Sequence, residues 1–165
     1  MWLKMSNIRS QLRQLNVEKL KMKSGRTVEH ELRYHASVLA DCIMEEMQDS
    51  IYSYANKVYK RTYDLWNSIY VNNKVRVNVT GNGTSLSISI QFSDEVMHDN
   101  FEGEKTHVAA ILNEGYQTHG SFADVPMLGW RDATNFIDNG ILKYKKKVKK
   151  PFIVKFTING EERMF

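Results

Sequence analysis

An α+β fold, with a long N-terminal helix packed on a small antiparallel sheet built around a central β-hairpin, is predicted by two patterns. From Tyr70 to Ser93, apolar residues alternate with polar ones on both sides of a Gly81-Asn82-Gly83 turn. From Thr27 to Tyr59, apolar residues recur every three or four positions with no Gly or Pro between them. Period two reads as half-buried strand and period 3.6 as amphipathic helix. One or two short C-terminal helices and a final strand complete the expectation.

The hairpin is the firmest element. Val75, Val77 and Val79 alternate with Lys74, Arg76 and Asn78, and Leu86, Ile88, Ile90 and Phe92 alternate with Ser85, Ser87, Ser89 and Gln91. A lone two-stranded ribbon is marginal in water, so its apolar face needs a cover. The opposite face, rich in Ser, suits solvent, a wet lumen or a neighbouring subunit.

The 165 residues fit one domain, 1–165, and a domain of that size buries roughly 70% of the surface exposed by its unfolded chain. The single cysteine, Cys42, excludes an intrachain disulfide and is expected to be buried on a helix. The net charge of +4 is uneven, because residues 143–150 hold six lysines. The rest of the chain is near balance, which argues against the domain-wide basic field of a dedicated DNA-binding protein. No apolar run approaches the ~20 residues of a membrane span. The first residues, Met1 to Ser6, lack an extended apolar stretch and a small-residue cleavage site, so secretion is not expected.

In chain order, Leu3, Ile8, Leu12, Leu15 and Met22 predict a basic amphipathic helix from about Ser6 to Met22, within residues 1–25. Docking on the chain's own domain or on a neighbouring subunit is favoured over a membrane surface. Ser24-Gly25 supplies a stop and Thr27 a cap for the next helix, with Glu29 and Glu31 in its first turn. Leu32, Ala36, Leu39, Ile43, Met47, Ile51, Tyr54 and Val58 then trace one long helix or two in line, the natural cover for the hairpin. Leu65, Trp66 and Ile69 seat a helical turn against the sheet, with Trp66 as a packing anchor.

Beyond the hairpin, Ser93 to Lys105 reads as loop. Val108 to Leu112 is too short for periodicity to assign, but its alanines and Gly115 favour a helix that stops at the glycine. Gln117 to Gly129 reads as an extended loop and Trp130 to Leu142 as a short helix whose end Gly140 weakens. Residues 143–150 read as a lysine-rich connector. Phe152, Val154, Phe156 and Ile158 form a final strand, ended by Asn159-Gly160 and available as a third strand on the hairpin.

Catalytic patterns are weak. His30 and His35 are five apart, off the i, i+4 ladder of a helical zinc motif. His107, Glu114, His119 and Asp124 are the remaining candidates for a metal or acid–base site, and ordinary surface or loop roles account for them better. No nucleophile elbow, Walker loop or dinucleotide fingerprint is present. The expectation is therefore a non-enzyme, with no cofactor and no metal. The lysine cluster has two readings. In one, Lys145, Lys146, Lys147, Lys149 and Lys150 contact phosphates and make the chain a small nucleic-acid-binding module. In the favoured one, the run is an exposed connector that suppresses aggregation beside the next strand.

Three segments together carry a resemblance. Thr62-Tyr63-Asp64-Leu65-Trp66-Asn67-Ser68-Ile69, ahead of a hairpin, resembles the Thr-Gly-x-Leu-x-x-Ser-Ile element of the tail-completion and head–tail joining (neck) proteins of long-tailed bacteriophages. Val108 to Tyr116 resembles that family's apolar stretch ending in Glu-Gly or Glu-x-Gly. Gly115-Tyr116-Gln117-Thr118, with Gly120 and Phe122, resembles its Gly-His-Arg-Thr loop. The likeness spans about Val28 to Ile141. Tyr63 stands in place of Gly, Tyr116 of His and Gln117 of Arg.

The resemblance implies a virion structural protein, assembled in the host cytoplasm, that forms a cyclic ring with copies of itself at the neck or upper tail. Its partners would be the head connector and the tail-tube or tail-terminator proteins. Tyr116, Gln117, Thr118, Phe122, Met127 and Trp130 would form the subunit or partner interface. Lys145, Lys146, Lys147, Lys149 and Lys150 would lie near the DNA channel.

Overall fold

The computed structural model describes residues 20–23, 25–53, 63–71, 74–81, 86–93, 95–99, 103, 105–118, 121–122, 125–126, 129–149, 151–158 and 161–165. Most of the expected N-terminal helix lies outside these residues. Its last predicted turn is not helical: Lys21 forms an antiparallel bridge with Thr27, and the Val28 N–H donates to the Leu20 carbonyl at 3.2 Å.

Helix α1, Val28–Met47, begins at Thr27, whose Oγ1 accepts the His30 N–H. Glu29 and Glu31 occupy its first turn, where carboxylates complement the helix dipole. A π-helical stretch, Gln48–Tyr52, continues it. A single turn, α2 (Asp64–Asn67), follows and leads into short strands β1 (Tyr70–Val71) and β2 (Lys74–Val75), which pair with each other.

The central hairpin joins β3 (Val77–Gly81) to β4 (Leu86–Ile90). Its register sets Val77 opposite Ile90 and Val79 opposite Ile88, and Asn78 opposite Ser89 and Thr80 opposite Ser87. The alternation thus segregates apolar and polar pairs onto opposite faces. Thr80 Oγ1 and Ser87 Oγ lie 2.8 Å apart across the polar face.

Residues 97–107 form a second hairpin where the sequence suggested a loop, β5 (Met97–Asp99) pairing with β6 (Lys105–His107). Three residues per strand are too few for an alternation to register as a pattern. Helix α3, Val108–Glu114, ends at Gly115, whose φ of 80° lies in the left-handed region that favours glycine.

The stretch read as an extended loop instead carries β7 (Tyr116–Thr118), β8 (Ser121–Phe122), β9 (Val125–Pro126) and β10 (Gly129–Arg131). Trp130 therefore belongs to a strand, and the next helix, α4, spans Phe136–Lys147. The lysine run is accordingly not a connector, since Lys143 to Lys147 are helical. Ile137, Ile141 and Tyr144 continue one buried stripe into it, lysine is a good helix former, and cations suit a helix C-terminus.

Gly140 is the contact point of the two long helices rather than a weak end. A Cβ there would sit 2.7 Å from the Ile43 Cα. The last segment is also a hairpin, β11 (Lys155–Ile158) on β12 (Glu161–Met164), and not a third strand of the central ribbon. The chain turns back after Ile158, so the ladder is satisfied locally.

The fold is thus α+β, with α1 packed between α4 and the central hairpin. Met47, Ile69, Phe136 and Ile141 are almost fully buried at its centre, and Leu39, Ile90 and Phe92 pack against that core. Among the described residues no helix is long and apolar enough to cross a membrane.

Candidate interaction surface

Strands β7 to β10 build one arm. Tyr116, Gln117 and Thr118 pair with Arg131, Trp130 and Gly129, and Ser121 and Phe122 pair with Pro126 and Val125. Both ladders keep the same register, so the outer and inner pairs share one antiparallel alignment. The structure brings Tyr116, Gln117, Thr118, Phe122 and Trp130 onto this arm, while Met127 lies outside the described residues.

The base of the arm is clamped. The carbonyl of Leu112 accepts from the N–H of Thr134 at 3.1 Å and from its hydroxyl at 2.6 Å, and that of Asn113 accepts the Asn135 N–H at 3.0 Å. Asn113, fully buried, accepts the Ile137 N–H on its Oδ1 at 2.9 Å and donates through Nδ2 to Asp138 at 2.9 Å. Arg163 on β12 closes the cluster, contacting Glu114 at 2.6 Å and Asp138 at 3.5 Å. These bonds satisfy the last carbonyls of α3 and a first-turn N–H of α4, groups that a helix leaves without internal partners. Nothing in sequence spacing flags Asn113, because its cap is supplied from another element.

A cavity of about 870 Å³ runs between α1, β4 and residues 152–155. Leu39, Ile88, Ile90 and Ile153 are among its apolar lining. Val77, Val79, Ile88 and Ile90 are only half-buried. Among the described residues β3 and β4 pair only with each other. Among the described residues the central hairpin therefore has open edges and a partly uncovered apolar face, the features that strand addition uses.

At one end of this cavity His35 is buried. Its Nδ1 lies 2.7 Å from the Tyr144 hydroxyl, which also accepts the Phe152 N–H at 3.1 Å. Nε2 faces Glu31 at 4.0 Å. An Nε2–H imidazole, with Nδ1 accepting the Tyr144 hydroxyl hydrogen, fits this arrangement, although Nε2 is too far from Glu31 for a hydrogen bond. Burial lowers the His35 pKa, against a smaller opposing pull from Glu31. Burial likewise raises the Tyr144 pKa, the Phe152 hydrogen bond opposing it.

The lysines divide by partner. Lys143 Nζ sits 2.9 Å from Glu45 and 3.0 Å from Glu46, and Lys147 lies 3.8 Å from Glu45. Hydrogen bonding to Glu45 and then Glu46 holds Lys143 protonated well above the usual lysine range, and its bond to Lys143 lowers the Glu45 pKa. Lys145, Lys146 and Lys149 are exposed, and Lys150 lies outside the described residues. Of the five lysines read as a phosphate surface, Lys147 thus joins Lys143 in tying α4 to α1.

Of the acid–base candidates, Glu114 is engaged by Arg163 and His107 is half-buried ahead of α3, while His119 and Asp124 lie outside the described residues. Among the described residues no three His, Cys, Asp or Glu side chains gather as a metal site would require. No protein-family model matches this chain, and neither a curated protein nor a solved structure matches it.

Proposed function

We propose that this chain is a structural subunit of a ring at the neck or upper end of a bacteriophage tail, joining the head connector to the tail. One observation carries the reading. Tyr63 has a φ of 60°, a left-handed conformation that costs a residue with a Cβ about 1–2 kcal/mol, and it occupies the position where the resembled element has Gly. The element's other defining positions fit as well. Leu65 and Ser68 are 5% exposed and Ile69 is 0% exposed, whereas Asp64 and Asn67, at its variable positions, are exposed. Ser68 Oγ donates to the Leu65 carbonyl at 2.6 Å, which explains a small hydroxyl residue at that place. A backbone turn that wants glycine, followed by buried Leu, Ser and Ile, supports the resemblance.

The arm and the open hairpin supply the means of assembly. A neighbouring copy, or the connector, would be engaged by the arm carrying Tyr116, Gln117, Thr118, Phe122 and Trp130. Cyclic contacts of this kind use different patches on the two sides of each subunit. Electron microscopy of the purified chain mixed with tails tests the reading, the expected image being a ring capping the tail end. A chain that stays monomeric and binds neither tail nor connector proteins would defeat it.

A further inference from the structure

A second cavity, of about 600 Å³, lies between Ile51 and Tyr52 at the end of the long helix, α2 and residues 95–97. Arg76 lines it. Its Nε is buried and has no hydrogen-bond partner among the described residues, and no carboxylate there stands within ion-pair distance of its guanidinium. Strand alternation assigns Arg76 to the hairpin's polar face, and Asn78, Thr80, Ser87 and Ser89 on that face are indeed exposed. At the base of the hairpin Arg76 is half-buried and lines the cavity together with α2 and residues 95–97. Leaving a buried guanidinium nitrogen unpaired is costly, so such a group in a native fold calls for an occupant.

The surroundings define the occupant. The Gln91 N–H donates to the Arg76 carbonyl at 3.2 Å, which sets Arg76 opposite Gln91 and places Ser93 as its diagonal neighbour on the same face. Ser93 is 6% exposed and accepts the Glu95 N–H at 3.3 Å, leaving its own hydroxyl hydrogen free to donate. Arg76 and Ser93 together offer donors for one carboxylate, and a guanidinium matches carboxylate geometry. Asp64 and Glu95 also line the cavity, so its formal charge with Arg76 is −1 and a dianion such as phosphate is opposed more strongly than a singly charged group. The remaining wall is apolar and aromatic, with Leu65, Val96 and Leu112 beside Tyr52 and Tyr63, whose rings stack 4.7 Å apart at 10°.

We infer that this cavity is a binding site for a monocarboxylate with an aryl-sized apolar body, its carboxylate on Arg76 and Ser93 and its body against the two tyrosines and Leu112. Such a group comes from a free organic acid or from the carboxyl-terminal aromatic residue of a partner chain.

The test is an NMR titration of the full chain that follows the Arg76 Nε–H and the Ser93 amide. Phenylacetate is expected to shift both saturably and phenylacetamide to shift neither, a comparison that needs no variant. Arg76→Met should weaken phenylacetate at least about tenfold, the loss of one charge-assisted pair, with Arg76→Lys intermediate. A short peptide ending in Phe with a free carboxyl group, run against its amidated form, separates the two sources: tighter binding than phenylacetate points to a partner chain, weaker binding to a free acid. Equal shifts from acid and amide, saturation by inorganic phosphate as readily as by phenylacetate, or no shift at Arg76 from any of them would overturn the inference.

Discussion

Asn113 caps a helix that begins in a distant part of the chain: its Oδ1 accepts the N–H of Ile137, 24 residues further on, at 2.9 Å. The same side chain donates to Asp138, so both of its polar ends are used in a site with no solvent exposure. Replacement by Ala leaves the Ile137 N–H without a partner and the Asp138 carboxylate with only its longer contact to Arg163. The expected cost is about 2–3 kcal/mol, from a lost cap and a stranded buried donor, read as a lower urea midpoint. Asn113→Asp keeps the acceptor but faces Asp138 with a like charge, and it should recover little of that loss at neutral pH.

The approach of α4 to α1 at Gly140 is set by backbone, which makes it unforgiving. A methyl group there would meet the Ile43 Cα at 2.7 Å, so Gly140→Ala is expected to destabilise by about 1–3 kcal/mol despite the better helix propensity of alanine. Because the obstacle includes the Cα itself, the double variant with Ile43→Ala should not regain the loss. A double-mutant cycle by denaturant unfolding measures this.

Acid should loosen the contact of α1 with residues 151–153. His35 is neutral and buried, with its folded pKa below its unfolded value because burial penalises the imidazolium. The unfolded chain therefore binds the proton first. The stabilising contribution is full above the ordinary value of 6.5 and is lost as pH falls below it toward the folded pKa. Thermal midpoints should drop as the pH falls below about 6.5 by more in the parent chain than in His35→Phe, which removes the titrating group and keeps an aromatic ring beside Phe152.

Cys42 is fully buried, and burial raises the pKa of its thiol above the usual value. A thiol reagent at pH 8 should label it only at the rate of opening, with full reactivity appearing at the same denaturant concentration as the loss of helical signal. Immediate stoichiometric labelling of the native chain would contradict its placement on the inner face of α1.

Periodicity was informative wherever an element was long enough to repeat its pattern. The rod beginning at Val28 and the Val77 to Ile90 hairpin each carry several cycles, and both form as their spacing implies. Ribbons of two or three residues per strand, such as Met97 with His107 or Phe122 with Val125, complete no cycle and were read as loop. The lysine run misled for a different reason. Composition suggested a solvated tether, whereas Tyr144, 1% exposed, anchors the same stretch as helix. Site chemistry was the least legible part. Arg76 and Asn113 gain their roles from neighbours far away in sequence, Arg76 from the turn at Asp64 and Asn113 from the start of α4, and no local motif encodes either.

The shared register of the two ladders in the 116–131 arm makes reach and orientation separable. Excising two residues from each side, Tyr116 and Gln117 with Trp130 and Arg131, would shorten it by about 7 Å at the usual strand rise while every remaining side chain kept its original side. Excising one from each would flip the distal half. Evolution or engineering can thus adjust the length of this paired segment in two-residue steps, like notches on a ruler, without redesigning the pairs beyond the cut.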